Sequence, residues 1–109
     1  MKSEIAVAAL NALANEHRLA VFRALVQKGP EGLAAGAIAD ALDLPASSLS
    51  FHLAHLTRAG LIVQRRESRS LIYSADFAVM NGLVGFLTEN CCGGASCAPA
   101  ASPKKRKAS

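Results

Sequence analysis

Apolar residues recur at helical spacing through the first half of the chain and then switch to strand-like runs. Ile5, Ala9 and Leu13 share one stripe over residues 3–13. Leu19, Phe22, Leu25 and Val26 share another over 16–28, so two amphipathic helices are predicted. Lys28-Gly29-Pro30 stops the second. Ile38 and Leu42, four apart, predict a third helix from about Ala35 to Leu42, and Asp43-Leu44-Pro45 forms a short turn. A fourth helix follows from about Ala46 to Arg58, with Gly60 as its C-terminal cap. Beyond it the period changes. Leu61-Ile62-Val63 and Leu71-Ile72-Tyr73 are β-prone, and the polar run Arg65-Arg66-Glu67-Ser68-Arg69-Ser70 between them reads as a charged hairpin tip. Asp76 is placed to cap a last helix from Phe77 to about Asn90, ended by Gly93-Gly94. From Ala98 onward the chain holds only Ala, Pro, Ser and basic residues, a composition expected to stay disordered. There is no internal repeat.

This order predicts a mainly α fold with a β-hairpin wing, a winged helix-turn-helix. Residues 1–92 are expected to form one DNA-binding and dimerisation domain, and 93–109 a flexible tail with Cys97 and a basic run. The last helix is left over from the winged helix-turn-helix unit. Its apolar stripe of Met80, Val84 and Leu87 needs a partner, and a second copy of the chain is the natural one.

On a wheel of the fourth helix, at about 100° per residue, Leu49, Leu53 and Leu56 fall on one side. Ser47, Ser48, Phe51, His55 and Arg58 fall on the other, with Ser50 and His52 near the boundaries. An ordinary solvent-facing side would look similar. The adjacent hairpin shifts the balance, because Arg65, Arg66 and Arg69 sit where they reach phosphates or the minor groove. Serine hydroxyls near the helix start allow close approach to base edges, and Phe51 suits a thymine methyl. His52 is expected to orient the helix or meet a phosphate. His17, with no second ligand at four-residue spacing, reads as a surface or capping residue.

Composition refines this picture. At 109 residues and 51% apolar the chain makes one domain with a real core, built on Ala and Leu because aromatics are only 5%. The net charge of +4 comes from Lys104-Lys105-Arg106-Lys107; the other 8 basic residues balance 8 acidic ones. Nucleic-acid contact must therefore come from a local patch, with the basic run as a salt-dependent arm or an idle tail. Residues 5–14 are apolar but broken by Asn11 and followed by Asn15-Glu16-His17-Arg18, which argues against a signal peptide and for no membrane partner. The 3 cysteines crowd into residues 91–97, which suits a reducing cytoplasm rather than a secreted disulfide scaffold.

Several stretches resemble the ArsR/SmtB family of metal-responsive repressors. They are Leu13-Ala14-Asn15-Glu16-His17-Arg18-Leu19, the run Ser47-Ser48-Leu49-Ser50-Phe51-His52-Leu53-Ala54-His55-Leu56, and Ala59-Gly60-Leu61-Ile62. Glu67-Ser68-Arg69 and Tyr73 match the wing loosely, so the likeness spans residues 5–92. It implies a homodimer with the first and last helices at the interface, through Ile5, Leu13, Met80, Val84 and Leu87, bound to double-stranded operator DNA and repressing a resistance operon until an inducing ion relieves it. Two family sites are missing. Residues 34–42 hold no cysteine pair, and Ala78 stands where the zinc-sensing pattern places His, with no His anywhere in 77–90. Glu89-Asn90-Cys91-Cys92-Gly93-Gly94 instead resembles members that bind trivalent arsenic at the end of the last helix.

Chemistry agrees with that resemblance. Trivalent arsenic, like antimony, is soft and takes three thiolates in a pyramid, whereas structural zinc usually wants four ligands. Cys91, Cys92 and Cys97 are thus the expected arsenite or antimonite site. Neighbouring cysteines on an intact helix point about 100° apart, so the last turn must relax around Gly93-Gly94. Cys91 extends the stripe of Met80, Val84 and Leu87, so ion capture is expected to distort the dimer interface and respace the recognition helices. A methylarsenite sensor using two thiols, a thiol redox switch and a zinc or cadmium site completed by Glu89 or water stay open. A thiol enzyme needs an activated cysteine in a formed pocket, and no Lys or Arg lies nearer in sequence than Lys104. The expectation is no enzyme and no catalytic cofactor.

Overall fold

The computed structural model describes residues 1–94. The elements are α1 (Ser3–Leu13), α2 (Glu16–Lys28), β1 (Leu33–Ala34), α3 (Ala35–Leu42), α4 (Ala46–Arg58), β2 (Ile62–Glu67), β3 (Ser70–Ala75), α5 (Phe77–Leu87) and a 3₁₀ turn at Cys91–Gly94. Gly93 and Gly94 of the expected tail belong to that turn, and the rest of it, with Cys97 and the Lys104–Lys107 run, lies outside the described residues.

Local chemistry sets the boundaries. Asn15 caps α2 by accepting from the backbone N–H groups of His17 and Arg18, both at 3.0 Å. Asp76 caps α5 by accepting from Val79 N–H at 3.1 Å. At the end of α4, Gly60 takes φ 80°. Its N–H bonds the Thr57 carbonyl while Leu61 N–H reaches back to Leu56. This is a Schellman closure, completed by apolar burial of Leu56 and Leu61. The α3–α4 turn is shaped in the same way, with Asp43 left-handed at φ 54° and Leu44 N–H bonded to the Ala39 carbonyl.

Three antiparallel strands form a sheet in the order β1-β3-β2. The wing is β2–β3, with Glu67 opposite Ser70 and a two-residue turn at Ser68-Arg69. The strands run on through Arg65, Arg66 and Glu67, so two of the three wing arginines stand on β2 rather than at the tip. β1 escaped the sequence pattern. It is two residues long, too short for a period, and exists only because Leu33 and Ala34 pair with Tyr73 and Ile72.

The core is formed by Val21, Phe22, Leu25, Ile38, Leu49, Leu53, Leu56, Leu61 and Ile62, with Leu83 from α5. α1 contributes Ala6, Ala9 and Ala12. The expected Ile5–Ala9–Leu13 stripe is therefore rotated. Small alanines let α1 approach closely, and Ile5 turns outward. Leu19, placed on the core stripe of α2 by periodicity, is also exposed.

α5 ends at Leu87, earlier than its apolar pattern predicts. Gly82 and Gly85 weaken it, and Thr88 Oγ1 bonds back to the Val84 carbonyl at 2.9 Å. Asn90 then adopts φ 55°, which a continuing helix forbids. No helix among the described residues is long and apolar enough to cross a membrane.

Candidate functional site: a recognition face, a wing and a thiol turn

α4 is held by its apolar side against α1, α2, α3 and β2. Ser47, Ser48, Ser50, Phe51 and Arg58 are exposed as expected, and His55 is half-buried. Pro45 precedes the helix and no side chain caps it, so N–H groups of the first turn stay available to a phosphate.

His52 departs from expectation. It is only 9% exposed and belongs to the packing beneath the helix, not to the DNA side. Its ring lies 5.6 Å from that of His17, tilted by 36°. Its Nδ1 is buried with no hydrogen-bond partner. Burial, then Arg18, His17 and His55, push its pKa below the usual histidine range, so it is neutral near pH 7. Of the two roles expected of His52, this inward position fits orienting the helix and not meeting a phosphate. His17 is exposed, as expected, and its ring is the one that meets His52. Desolvation, Arg18 and Arg58 also lower the pKa of His55.

The wing arginines divide by strand alternation. Arg65 turns back on its own subunit. Its guanidinium donates to the Glu31 carbonyl at 2.7 Å, to the Pro30 carbonyl at 3.2 Å and to the Glu67 carboxylate at 2.7 Å. A side chain used in this way tethers the wing to the Pro30-Glu31 loop, a contact the sequence did not suggest. Arg66 stands two residues from Gln64 and shares its face. Arg69 projects from the turn, exposed. Gln64 and Tyr73, paired across the strands, line a groove of about 340 Å³ with Ser50, Ala54, Thr57 and Arg58 of α4. Tyr73 entered the sequence reading only as a loose match to the wing, and Gln64 was not singled out. The available signal was the period of two linking Gln64 to Arg66.

α1 and α5 lie against each other and leave Ile5, Leu10, Val84 and Leu87 exposed, the last two at 56% and 58%. Leu13 and Met80, expected at the same interface, instead pack partly buried against their own core.

Cys91 and Cys92 do not continue α5. They sit on the 3₁₀ turn, where Cys92 and Gly93 both take positive φ. The two sulfurs lie 3.8 Å apart. Cys91 is half-buried and disulfide-bonded, and Cys92 is an exposed free thiol. The interface stripe expected to run from Leu87 into Cys91 is therefore broken by the turn.

Two helices joined by a tight turn, followed by a paired hairpin, match a family described as a helix-turn-helix domain over residues 13–65. The nodulation protein NolR of Rhizobium meliloti is 34% identical over 87 residues, covering 80% of this chain and 69% of NolR. The chain belongs to the ArsR-type winged helix-turn-helix transcriptional regulators. Among solved structures of such regulators, HlyU from Vibrio cholerae matches with TM-score 0.66 and 32% identity. That match covers 84% of this chain and 99% of HlyU, which has also been solved in a reduced form. A homodimeric winged helix-turn-helix DNA-binding domain from Mycobacterium bovis matches with TM-score 0.63 and 28% identity, covering 87% of this chain and 88% of that one. As an ArsR-type regulator the chain is a DNA-binding protein of transcription control.

Proposed function

We propose that this regulator represses transcription as a homodimer on operator DNA and releases the DNA when Cys91, Cys92 and Cys97 capture trivalent arsenic, as arsenite, or antimony. The observation that carries the reading is the 3.8 Å separation of the Cys91 and Cys92 sulfurs on a turn outside the helix. Two sulfurs bound to one soft ion at about 2.3 Å each, as in thiolate zinc sites, stand roughly 3.5–3.8 Å apart. The pair needs little rearrangement to grip one ion once reduced. Cys97 supplies the third sulfur. The turn begins at Cys91, four residues after exposed Leu87, so closing it on an ion alters the end of the α1–α5 face. Release then follows if the ion binds the DNA-free dimer more tightly than the DNA-bound one.

A thiol redox switch is the second reading, favoured by the disulfide at Cys91. The relative HlyU being solved in a reduced form agrees with it. In that case two thiols lose two electrons and two protons to an oxidant such as peroxide, and no ion is needed.

One mobility-shift experiment separates the readings. The reduced full chain, kept in a phosphine reductant, is bound to the DNA upstream of its own gene and titrated with arsenite. Release supports metalloid sensing, and retention of the complex when the thiols are saturated refutes it. Release by peroxide alone, reversed by the phosphine, supports the redox switch. Changing any of the three cysteines to Ser is expected to keep DNA binding and weaken arsenite release. Normal release by Cys97→Ser moves the ligand to a methylated arsenical held by two thiols.

A further inference from the structure

The outward face of α4 carries one large apolar side chain. Phe51 is 64% exposed, with Ser47 and Ser48 one turn before it and Ala54 and His55 one turn after. At about 100° per residue these four flank Phe51 on both sides, so its ring stands on the midline of the face. The core has no use for it there, since Leu49, Leu53 and Leu56 fill the opposite side. The ring is braced at its base. It meets His52 edge-on, with centroids 6.0 Å apart and planes at 68°, and His52 is wedged against His17. On α4 its neighbours are the hydroxyls of Ser47 and Ser48 and the ring of His55, and the helix itself contains no Asp or Glu.

We infer that Phe51 reads the 5-methyl group of a thymine in each operator half-site. This rests on α4 entering the major groove as the recognition helix. There the apolar feature of a base edge is the thymine methyl, while the other bases present donors and acceptors. A phenyl ring over cytosine N4, adenine N6 or guanine O6 strips water from a polar group and offers no bond in return. Phe51 thus selects thymine twice, by burying its methyl and by penalising the alternatives. 5-Methylcytosine, with the methyl but a different polar edge, is the partial mimic.

The test selects a consensus for the purified full chain from a randomised duplex library. Each thymine of the consensus is then replaced singly by deoxyuridine, which removes only the methyl. One symmetric position is expected to weaken binding about fourfold per half-site, the worth of burying one methyl-sized group. Phe51→Ala is expected to melt like the wild type, bind more weakly and lose this discrimination. Phe51→Leu is expected to keep part of it. Deoxyuridine tolerated at every position, or discrimination surviving in Phe51→Ala, overturns the inference. Failure to select any consensus overturns DNA reading by α4 itself, and is distinguishable because no thymine position would then exist to test.

Discussion

Arg65 offers a sharp quantitative test of how the wing works. Its guanidinium bonds two loop carbonyls and one carboxylate within its own subunit. Arg66 and Arg69 are exposed and take part in none of the ion pairs found among the described residues. Arg65→Ala removes an exposed ion pair, worth at most about 1 kcal/mol. It also removes two charge-assisted bonds, which solvent reduces to a few tenths to 1 kcal/mol each. The sum is about 1–2 kcal/mol, or roughly 5–10 °C in Tm for a domain of this size. DNA affinity falls as well, because the wing loses its tether to the Pro30-Glu31 loop. The salt dependence does not change. Each phosphate contact contributes about −0.9 to the slope of log K against log salt. Arg66→Ala and Arg69→Ala, counted in both subunits, are expected to flatten the slope by roughly 1.8 each, with Tm nearly constant. The assay is fluorescence anisotropy on one operator duplex at four or five salt concentrations, beside thermal melts at fixed protein concentration. If Arg65→Ala flattens the slope as the other two do and leaves Tm intact, the guanidinium is a phosphate ligand and the anchoring argument is wrong.

Folding stability should also depend on pH through His52. Burial holds its folded pKa below 6.5, so the unfolded chain takes the proton first as pH falls. The stability is complete above pH 6.5 and is lost as pH drops toward the lowered value, by up to about 1.4 kcal/mol per pH unit. Urea unfolding between pH 7.5 and 5.5 checks this, and a His52→Gln variant that keeps the wild-type slope refutes it. Gly32 takes φ 70°, and a methyl there would land on the Tyr73 carbonyl oxygen of β3. Gly32→Ala is expected to cost about 2–4 kcal/mol, from strain and overpacking together, read by chemical denaturation; a loss under about 1 kcal/mol would contradict the close approach. Val84→Asp with Leu87→Asp should turn the dimer into a folded monomer in sedimentation, whereas Leu13→Ala should lower stability by about 1–3 kcal/mol and leave the dimer intact. Equal dissociation by both variants would return Leu13 to the interface.

Much of the architecture was legible because its signals are local. Periodicity placed α1 to α4 to within a residue, and Asp76 and Gly60 marked ends through cap chemistry that needs no distant partner. The serine-rich face of α4 was legible too, since a helix of known phase sorts its own sides. Errors arose where a residue's role depends on what stands opposite it. Ile5 and Leu13 are equally apolar, but only packing against α2 and α4 decides that Ala6, Ala9 and Ala12 face inward. His52 lies about 100° from the midline of its helix, a boundary that only the His17 ring resolves. Arg65, Arg66 and Arg69 are alike in composition, and the loop at Pro30-Glu31 takes one of them.

The amino-acid order alone determined the succession of helices and strands, the separation of a core side from a reading side on α4, and the crowding of three thiols after α5. Each of these follows from backbone periodicity or from chain proximity, which are properties of neighbours in sequence. Tertiary structure decided the pairing of β1 with β3, the burial of His52, the capture of Arg65 by its own loop and the early end of α5 that brings two sulfurs within 3.8 Å. Those outcomes depend on contacts between segments far apart in the chain, or on a competition between a helix and its side chains that periodicity does not register.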